Sequence, residues 1–423
     1  MAWKVSVSVL ASALCALAAS TVEDLARIAA ERSRDLEAAR HRVAEARGLL
    51  RQSGMRPPPS LEFESSTGRP LGSPGKEEYS AAYSHPVETG GKRDKRVRVA
   101  EKSVALAEAE LALRTLRLKS EVKLRFLDAT AEQKRLASLG SLIDSYNDSV
   151  KLTEARVAQG DAAPLEGQLL LVELNRIEAQ RRAANGRLQA ALVQLRRLCG
   201  LTATEPLTLA EETPPAQKAT YAVNELRQRA LARRADLLAA RLVEEQGSAE
   251  VALSEAQGRP DVALTARYSH RNERFADVFG FTASGAMTPL RDRDNVLSFG
   301  VSIPLLTRRR NLGNVEAAAA RAAGARSLRQ HLEAAIPLEI DAAWQRWNSS
   351  AEVFEILNGG VVRQSEKNIE IIRQAYALGQ LRLLDVLNEQ RRLIDTRMAY
   401  IDAEADAGRA FIELELAAGG ELR

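Results

Sequence analysis

The chain has 423 residues, of which 45 % are hydrophobic and 27 % charged but only 4 % aromatic. Ala, Leu, Arg and Glu dominate, a composition that favours long helices and coiled coils over a globular enzyme. Lys and Arg number 60 against 56 Asp and Glu, a net charge of +4, and so mixed a surface lacks the basic footprint of a nucleic-acid partner.

Residues 1–19 read as a secretory signal, with Lys4 as the positive start, Val5 to Leu17 as the apolar run and Ala16-Leu17-Ala18 as the small-x-small cleavage pattern. Cys15 raises a lipid-modified cysteine as the minor alternative, because Leu14 stands where that processing needs a small side chain. With the signal removed, Cys199 is the one cysteine left, so neither an internal disulfide nor a CxxC metal site is expected. No later run of 18 apolar residues exists, so any membrane-spanning part has to be made of strands.

Thr21 is a candidate N-cap followed by acidic residues, and a helix is predicted to about Ser53, ended by Gly54 and Pro57-Pro58-Pro59. Leu61 and Phe63 alternate with Glu62 and Glu64 as a short strand. A loop rich in Gly and Pro follows over 68–75, then a second strand with Tyr79, Ala81, Tyr83 and Val87 on one face. After Gly90-Gly91 the period becomes helical, and a helix from about Arg93 to Ala158 would measure on the order of 100 Å. Gln159-Gly160-Asp161 breaks it, and a return helix runs from Pro164 to Leu198. Residues 202–220, with Pro206, Pro214 and Pro215, read as a linker.

The pattern then starts again. At a spacing of 201, Leu25, Asp35, Leu36 and Arg40 meet Leu226, Asp236, Leu237 and Arg241. At 218, Ser84, Pro86 and Ala100 meet Ser302, Pro304 and Ala318; at 219, Gly160, Leu165, Leu174 and Gly200 meet Gly379, Leu384, Leu393 and Gly419. The domains expected are therefore a signal at 1–19, a first repeat at 20–201, the linker at 202–220 and a second repeat at 221–423. The longer spacing places an insertion within His270 to Asp294, expected as a loop. Pro337 is expected to kink the second long helix, and Trp344 and Trp347 are expected to be packing residues.

Val262, Leu264, Ala266 and Tyr268, and Leu297, Phe299, Val301, Ile303 and Leu305, alternate with small or polar residues. Such segments suit a lipid-facing barrel strand or a half-buried strand of a sandwich. The rest of the chain is helical and leaves no second sheet to pack on, which favours the barrel. Four strands cannot close, so the chain has to oligomerise; a dimer would give eight strands and a trimer twelve.

The chain resembles the outer membrane factor family, the TolC-like trimeric efflux ducts, and within it the branch serving heavy-metal pumps. The resemblance is carried by Pro86-Val87-Glu88-Thr89-Gly90-Gly91-Lys92-Arg93, by Ser302-Ile303-Pro304-Leu305 with Arg310-Asn311, by Gly160-Asp161 with Glu166, and by Tyr376-Ala377-Leu378-Gly379 with Leu384-Asp385-Val386-Leu387. It implies a mostly α fold with a small β part. Two repeats would each give two transmembrane strands and a long helical hairpin, and three copies would form a twelve-stranded barrel. It also implies a place in the outer membrane of a Gram-negative bacterium with the helices in the periplasm. The implied partners are outer-membrane lipid, a periplasmic adaptor and an inner-membrane pump of the RND class. The chain would be the exit duct of a tripartite system for heavy-metal cations. The alternatives are the same duct for drugs or type I protein secretion, and, in another class, a periplasmic coiled-coil adaptor.

By that resemblance Gly160, Asp161, Leu378 and Gly379 form a periplasmic tip that meets the adaptor, although Gly also suits any helix–helix turn. Asp385 matches an acid that narrows the tip opening. Glu166 is its counterpart in the first repeat, and Asn388 stands where the family often has a second acid. A ring of carboxylates would concentrate cations; the plainer role is a helix N-terminal acid. Pro86, Gly90, Gly91, Lys92, Arg93, Pro304 and Arg310 mark the strand–helix junctions. If the loops face outward, the cations there, with Lys95, Arg96, Arg98, Arg308 and Arg309, are expected to meet phosphate head groups; the plainer role is a solvated helix start. His41, His85, His270 and His331 show no metal-ligand spacing, and no GxSxG, P-loop or GxGxxG motif is present, so neither a cofactor nor an enzymatic activity is expected.

Overall fold

The computed structural model describes residues 20–71, 76–210, 221–305 and 307–422. The signal at 1–19 with Cys15, and linker residues 211–220 with Pro214 and Pro215, lie outside them. The chain forms two units, one from residues 1–41, 109–238 and 330–423, the other from 42–108 and 239–329.

Helices contribute to both units, and the repeat governs their order. Helices α1 (Val22–Arg32) and α2 (Arg34–Ser53) replace the single helix expected at the start, because the chain turns extended at Ser33. Helices α5 (Val223–Arg233) and α6 (Ala235–Gln257) break in the same way at Arg234. Thr21 caps α1, accepting from the Asp24 N–H at 3.1 Å. Helix α3 is one span, Lys92–Gln159, and α4 returns over Pro164–Cys199. In the second repeat two strands are followed by a short α7 (Thr307–Arg310) and then α8 (Leu312–Ile356), α9 (Val362–Ala377) and α10 (Leu383–Ala417).

Two small cores are copies of one another. Leu25, Ala29, Val122, Leu195 and Cys199 pack together, and Leu226, Ala230, Ile340, Leu414 and Ala418 do so at the equivalent positions. The glycine ending each return helix is forced by this packing. A Cβ on Gly200 would lie 3.1 Å from the Arg32 carbonyl oxygen, and one on Gly419 3.0 Å from the Arg234 nitrogen, with φ positive at both. Linker residues up to 210 are docked: the Ser20 N–H donates to Thr208 O at 2.9 Å, and Leu209 is buried beside Leu25. Burial pushes the Cys199 thiol up to about 11. Trp347 is fully buried among Leu226, Ile336 and Leu414 and lies 6.0 Å from the Tyr221 ring, so it is a packing residue as expected.

Pro337, expected to kink the second long helix, does not end it. Helix α8 runs on through Pro337, flanked by fully buried Ile336 and Ile340. A separate irregularity falls at a wider helical turn, Leu357–Val361, where Gly360 has φ +121, a conformation that side chains resist. Among the described residues no helix is long and apolar enough to cross a membrane.

The second unit carries an antiparallel four-stranded sheet in chain order: β1 (Ser60–Thr67), β2 (Lys76–Val87), β3 (Val262–Phe281) and β4 (Met287–Ser302). The insertion expected as a loop over His270 to Asp294 is instead mostly strand. It lengthens β3 and β4 into one hairpin whose turn reaches the Thr282–Ala286 region, closed by Thr282 N to Ala286 O at 2.9 Å. The alternation survives there in polar form, as Arg291-Asp292-Arg293-Asp294, so it escapes a search for apolar periodicity.

Candidate functional site

The sheet has two chemically distinct faces, and its register fixes them. Leu61, Tyr83, Ala266 and Phe299 form one row across all four strands; Phe63, Ala81, Tyr268 and Leu297 form the next. With Leu264 and Val301 they make an apolar face that no described residue covers: Phe299 is 79 % and Phe63 77 % exposed. From Val262 to His270 this band covers ~23 Å along a membrane normal at a strand tilt of ~40°. Tyr268 Oη donates to Asn295 Oδ1 at 2.8 Å, which places a polar girdle at its upper border.

The opposite face is polar. Its registered rows hold the acids Glu62, Glu64, Glu78, Glu273, Asp292 and Asp294 and the bases Lys76, Arg267 and Arg271. Arg267 reaches Glu64 at 3.1 Å and Ser80 Oγ at 3.0 Å, and Lys76 pairs with Glu273 at 2.9 Å. Acids outnumber bases two to one in these rows. Strands β1 and β4 each present an edge that pairs with nothing among the described residues.

The junctions gather the residues singled out in the sequence, but not as one cationic patch. Gly90 and Gly91 have φ of +72 and +67 and turn the chain from β2 into α3. A Cβ on Gly90 would meet Arg259 Cδ at 2.6 Å, whereas Gly91 has open space. Lys92 is buried and turned inward: its Nζ donates to Arg259 O at 2.8 Å and pairs with Asp261 at 2.8 Å. Asp261 Oδ1 also accepts from the Thr89 N–H at 2.9 Å. Arg93 donates to Gly54 O at 2.7 Å, Lys95 to Ala252 O at 3.0 Å, and Arg96 pairs with Glu88. Lys92 and Arg93 therefore hold carbonyls just past the ends of α6 and α2, and Lys95 holds one within α6. The expectation that the junction cations meet head groups is corrected for Lys92, which is buried; Arg93, Arg98, Arg308, Arg309 and Arg310 are exposed, and Lys95 and Arg96 are half-buried.

Asn311 is the junction residue that the sequence reading undervalued. It sits 218 residues after Arg93, is buried, and its amide donates to Ser254 O at the end of α6, as Arg93 does to the end of α2. Pro86 pairs with Ala263 beyond the start of β1, which lies opposite Ser84, so its missing N–H breaks no bond to β1. Pro304 follows β4 in extended chain before α7.

The two helical turns are built alike and wired differently. Gly160 and Gly379 have φ of +80 and +72. Asp161 N donates to Arg156 O and Gln380 N to Ala375 O, both at 2.9 Å. Leu378 is 74 % exposed beside the second turn. Asp385 is exposed and closes a capping box by accepting from the Arg382 N–H at 3.1 Å. Its counterpart Glu166 instead accepts from Tyr376 Oη at 3.0 Å, while Asn388 is exposed.

Tyr376 is the centre of that wiring. It is buried against Thr153, and Arg156 lies 4.7 Å over its ring while donating to Tyr376 O at 3.1 Å and to Asp161 O at 3.3 Å. Burial, with Glu166 nearby, raises the Tyr376 hydroxyl above its ordinary value. Tyr376, Thr153 and Arg156 thus join the two hairpins, and nothing in their sequence spacing announces it. Further along the bundle, buried Glu173 on α4 is gripped by Arg391 on α10 and by Arg176, and the Arg391 hydrogen bond holds its carboxyl below the usual range. Among the described residues no three His, Cys, Asp or Glu side chains are grouped to hold a metal.

These features meet known proteins at the level of the whole chain. The family model described as outer membrane efflux protein matches residues 25–201 and 226–420. The cobalt-zinc-cadmium resistance protein CzcC of Cupriavidus metallidurans is 24 % identical over 381 residues, covering 90 % of this chain and 85 % of that protein. The fold is that of CusC, with a TM-score of 0.76 at 18 % identity over 95 % of this chain and 92 % of that one. It is also that of the outer membrane protein VceC from Vibrio cholerae, with a TM-score of 0.74 at 21 % identity over 94 % and 96 %. An uncovered apolar band on an open four-stranded sheet, a twofold internal repeat and this match over nearly the whole length lead to one assignment: the chain belongs to the outer membrane efflux protein family and is an outer-membrane efflux channel.

Proposed function

We propose that three copies of this chain close a twelve-stranded barrel and form the exit duct for heavy-metal cations. A periplasmic adaptor and an inner-membrane pump of the RND class would deliver the cargo, and the duct itself performs no chemistry. The unpaired edges of β1 and β4 support oligomerisation. In a sheet of this order they run antiparallel, so β4 of one copy can pair with β1 of the next until the ring closes. The observation that carries the cation reading is the polar sheet face, where six carboxylates oppose three cations in the registered rows. With the apolar face in lipid, that acidic face lines the lumen and raises the local cation concentration.

In the same reading, the turns at Gly160-Asp161 and Leu378-Gly379 meet the adaptor. Asp385, exposed on its helix start, is the acid facing the opening, with Asn388 one turn on. Glu166 is held back by Tyr376 and contributes less. The similarity to the cobalt-zinc-cadmium resistance protein supports metal cargo over drugs. The test is a deletion strain challenged with divalent metals and with drugs. Sensitivity to metals alone is the expected result, and sensitivity to drugs alone would overturn the cargo assignment.

A further inference from the structure

Beyond the apolar band, the β3–β4 hairpin separates charge across its two faces. Residues 271–274 and 291–294 are paired in register, Arg271 with Asp294, Asn272 with Arg293, Glu273 with Asp292 and Arg274 with Arg291. Alternation puts Arg271, Glu273, Asp292 and Asp294 on the lumenal face, where Lys76 and Glu78 also lie. Cations on that side have partners: Arg271 is 3.6 Å from Glu78, and Lys76 pairs with Glu273.

Arg274, Arg291 and Arg293 fall on the other face, the one that carries Leu264, Tyr268, Leu297 and Phe299 lower down. All three are exposed, and none has an acidic partner among the described residues. Arg274 and Arg291 stand directly opposite each other, an arrangement that costs energy unless an anion sits between or above them. The row of Tyr79, His270 and Asn295 closes the apolar band, so the three guanidinium groups come into line with lipid head groups, Arg293 one row above it and Arg274 and Arg291 two rows above it. All the strand–helix junctions lie at the other end of the sheet. This rim is therefore the one remote from the helices and faces the outer leaflet.

We propose that Arg274, Arg291 and Arg293 form a docking site for the phosphate groups of phosphorylated outer-leaflet glycolipid. Guanidinium groups suit this role because their planar fork binds phosphate oxygens in pairs, and the lipid phosphates relieve the repulsion between Arg274 and Arg291. Closing the barrel repeats the site once per copy, on the lipid side, without altering the acidic lumen.

This inference rests on the barrel reading, so assembly and lipid binding are read separately. The full-length oligomer is purified and incubated with a bis-phosphorylated glycolipid of the lipid A type, with its dephosphorylated form, or with inorganic phosphate, and lipid retained after gel filtration is measured. The wild type is expected to retain the phosphorylated lipid and not the dephosphorylated one, with inorganic phosphate failing to displace it. The variant R274Q/R291Q/R293Q is expected to assemble normally and to lose about fivefold in affinity per arginine removed. The variant R274K/R291K/R293K keeps the charge and is expected to retain most binding. Equal retention by wild type and the assembled Gln variant overturns the proposal, as does wild-type indifference to the phosphates or displacement by inorganic phosphate.

Discussion

Lys92 and Arg93 are neighbours in the sequence and carry the same charge, yet the structure assigns them different weights. The Lys92 side chain is 10 % exposed and holds both Arg259 O and Asp261 at 2.8 Å. Lys92→Met leaves the Asp261 carboxylate with the hydrogen bond from the Thr89 N–H and the more distant charge of Arg96. Losing one partner of a buried pair costs ~3–5 kcal/mol; Asp261 is 41 % exposed, which lets water take up part of the charge, so the expected loss is about 2 kcal/mol. Arg93 is exposed and makes one hydrogen bond, to Gly54 O, so Arg93→Met should cost about 0.5–1 kcal/mol. The assay is the temperature at which the detergent-solubilised oligomer dissociates on a gel. Lys92→Met should lower it clearly and Arg93→Met barely. Combining Lys92→Met with Asp261→Asn should cost less than the sum of the two, because the second change removes the stranded charge. Equal effects of the two single variants, or strict additivity in the pair, would refute the buried-clasp account.

Three further outcomes follow from the same geometry. Tyr376→Phe removes the hydroxyl shared with Glu166 and Thr153, about 1 kcal/mol of coupling between the hairpins, and should raise channel open probability in planar bilayers; unchanged gating would contradict it. Gly90→Ala should destabilise the assembly by about 1–3 kcal/mol, more than Gly91→Ala, because only Gly90 adds a 2.6 Å clash with Arg259 to the strain of positive φ; the same gel assay separates them. Glu173 has its carboxyl held low by Arg391, so its contribution is complete above its ordinary value of 4.5 and is lost as pH falls through the depressed folded value. Thermal melts of Glu173→Gln should therefore show a flatter dependence on pH below 4.5 than those of the wild type.

The repeat made much of this fold legible from sequence. Because Leu25, Ala29 and Leu195 recur as Leu226, Ala230 and Leu414, the two small cores and the helix order around them could be anticipated. The long helices and their glycine turns were visible for the same reason: periodicity and positive-φ glycines leave local marks. The hairpin beyond His270 was misread because its strands alternate Arg with Asp rather than apolar with polar. Lys92 was misread because charge alone does not say whether a side chain meets water or a carbonyl. Lys92 turns inward only because Arg259 and Asp261, far away in sequence, are brought beside it by the pairing of β2 with β3. Tyr376 escaped notice because its partners Thr153, Arg156 and Glu166 are supplied by the other hairpin.

The central claim is that copies of this sheet close around an acidic lumen with the apolar face in lipid. The most direct test is the reversal potential of the purified oligomer in a planar bilayer under a salt gradient. The account predicts a conducting pore with a reversal potential on the cation side. An anion-selective pore, or an assembly that inserts and does not conduct, would contradict it.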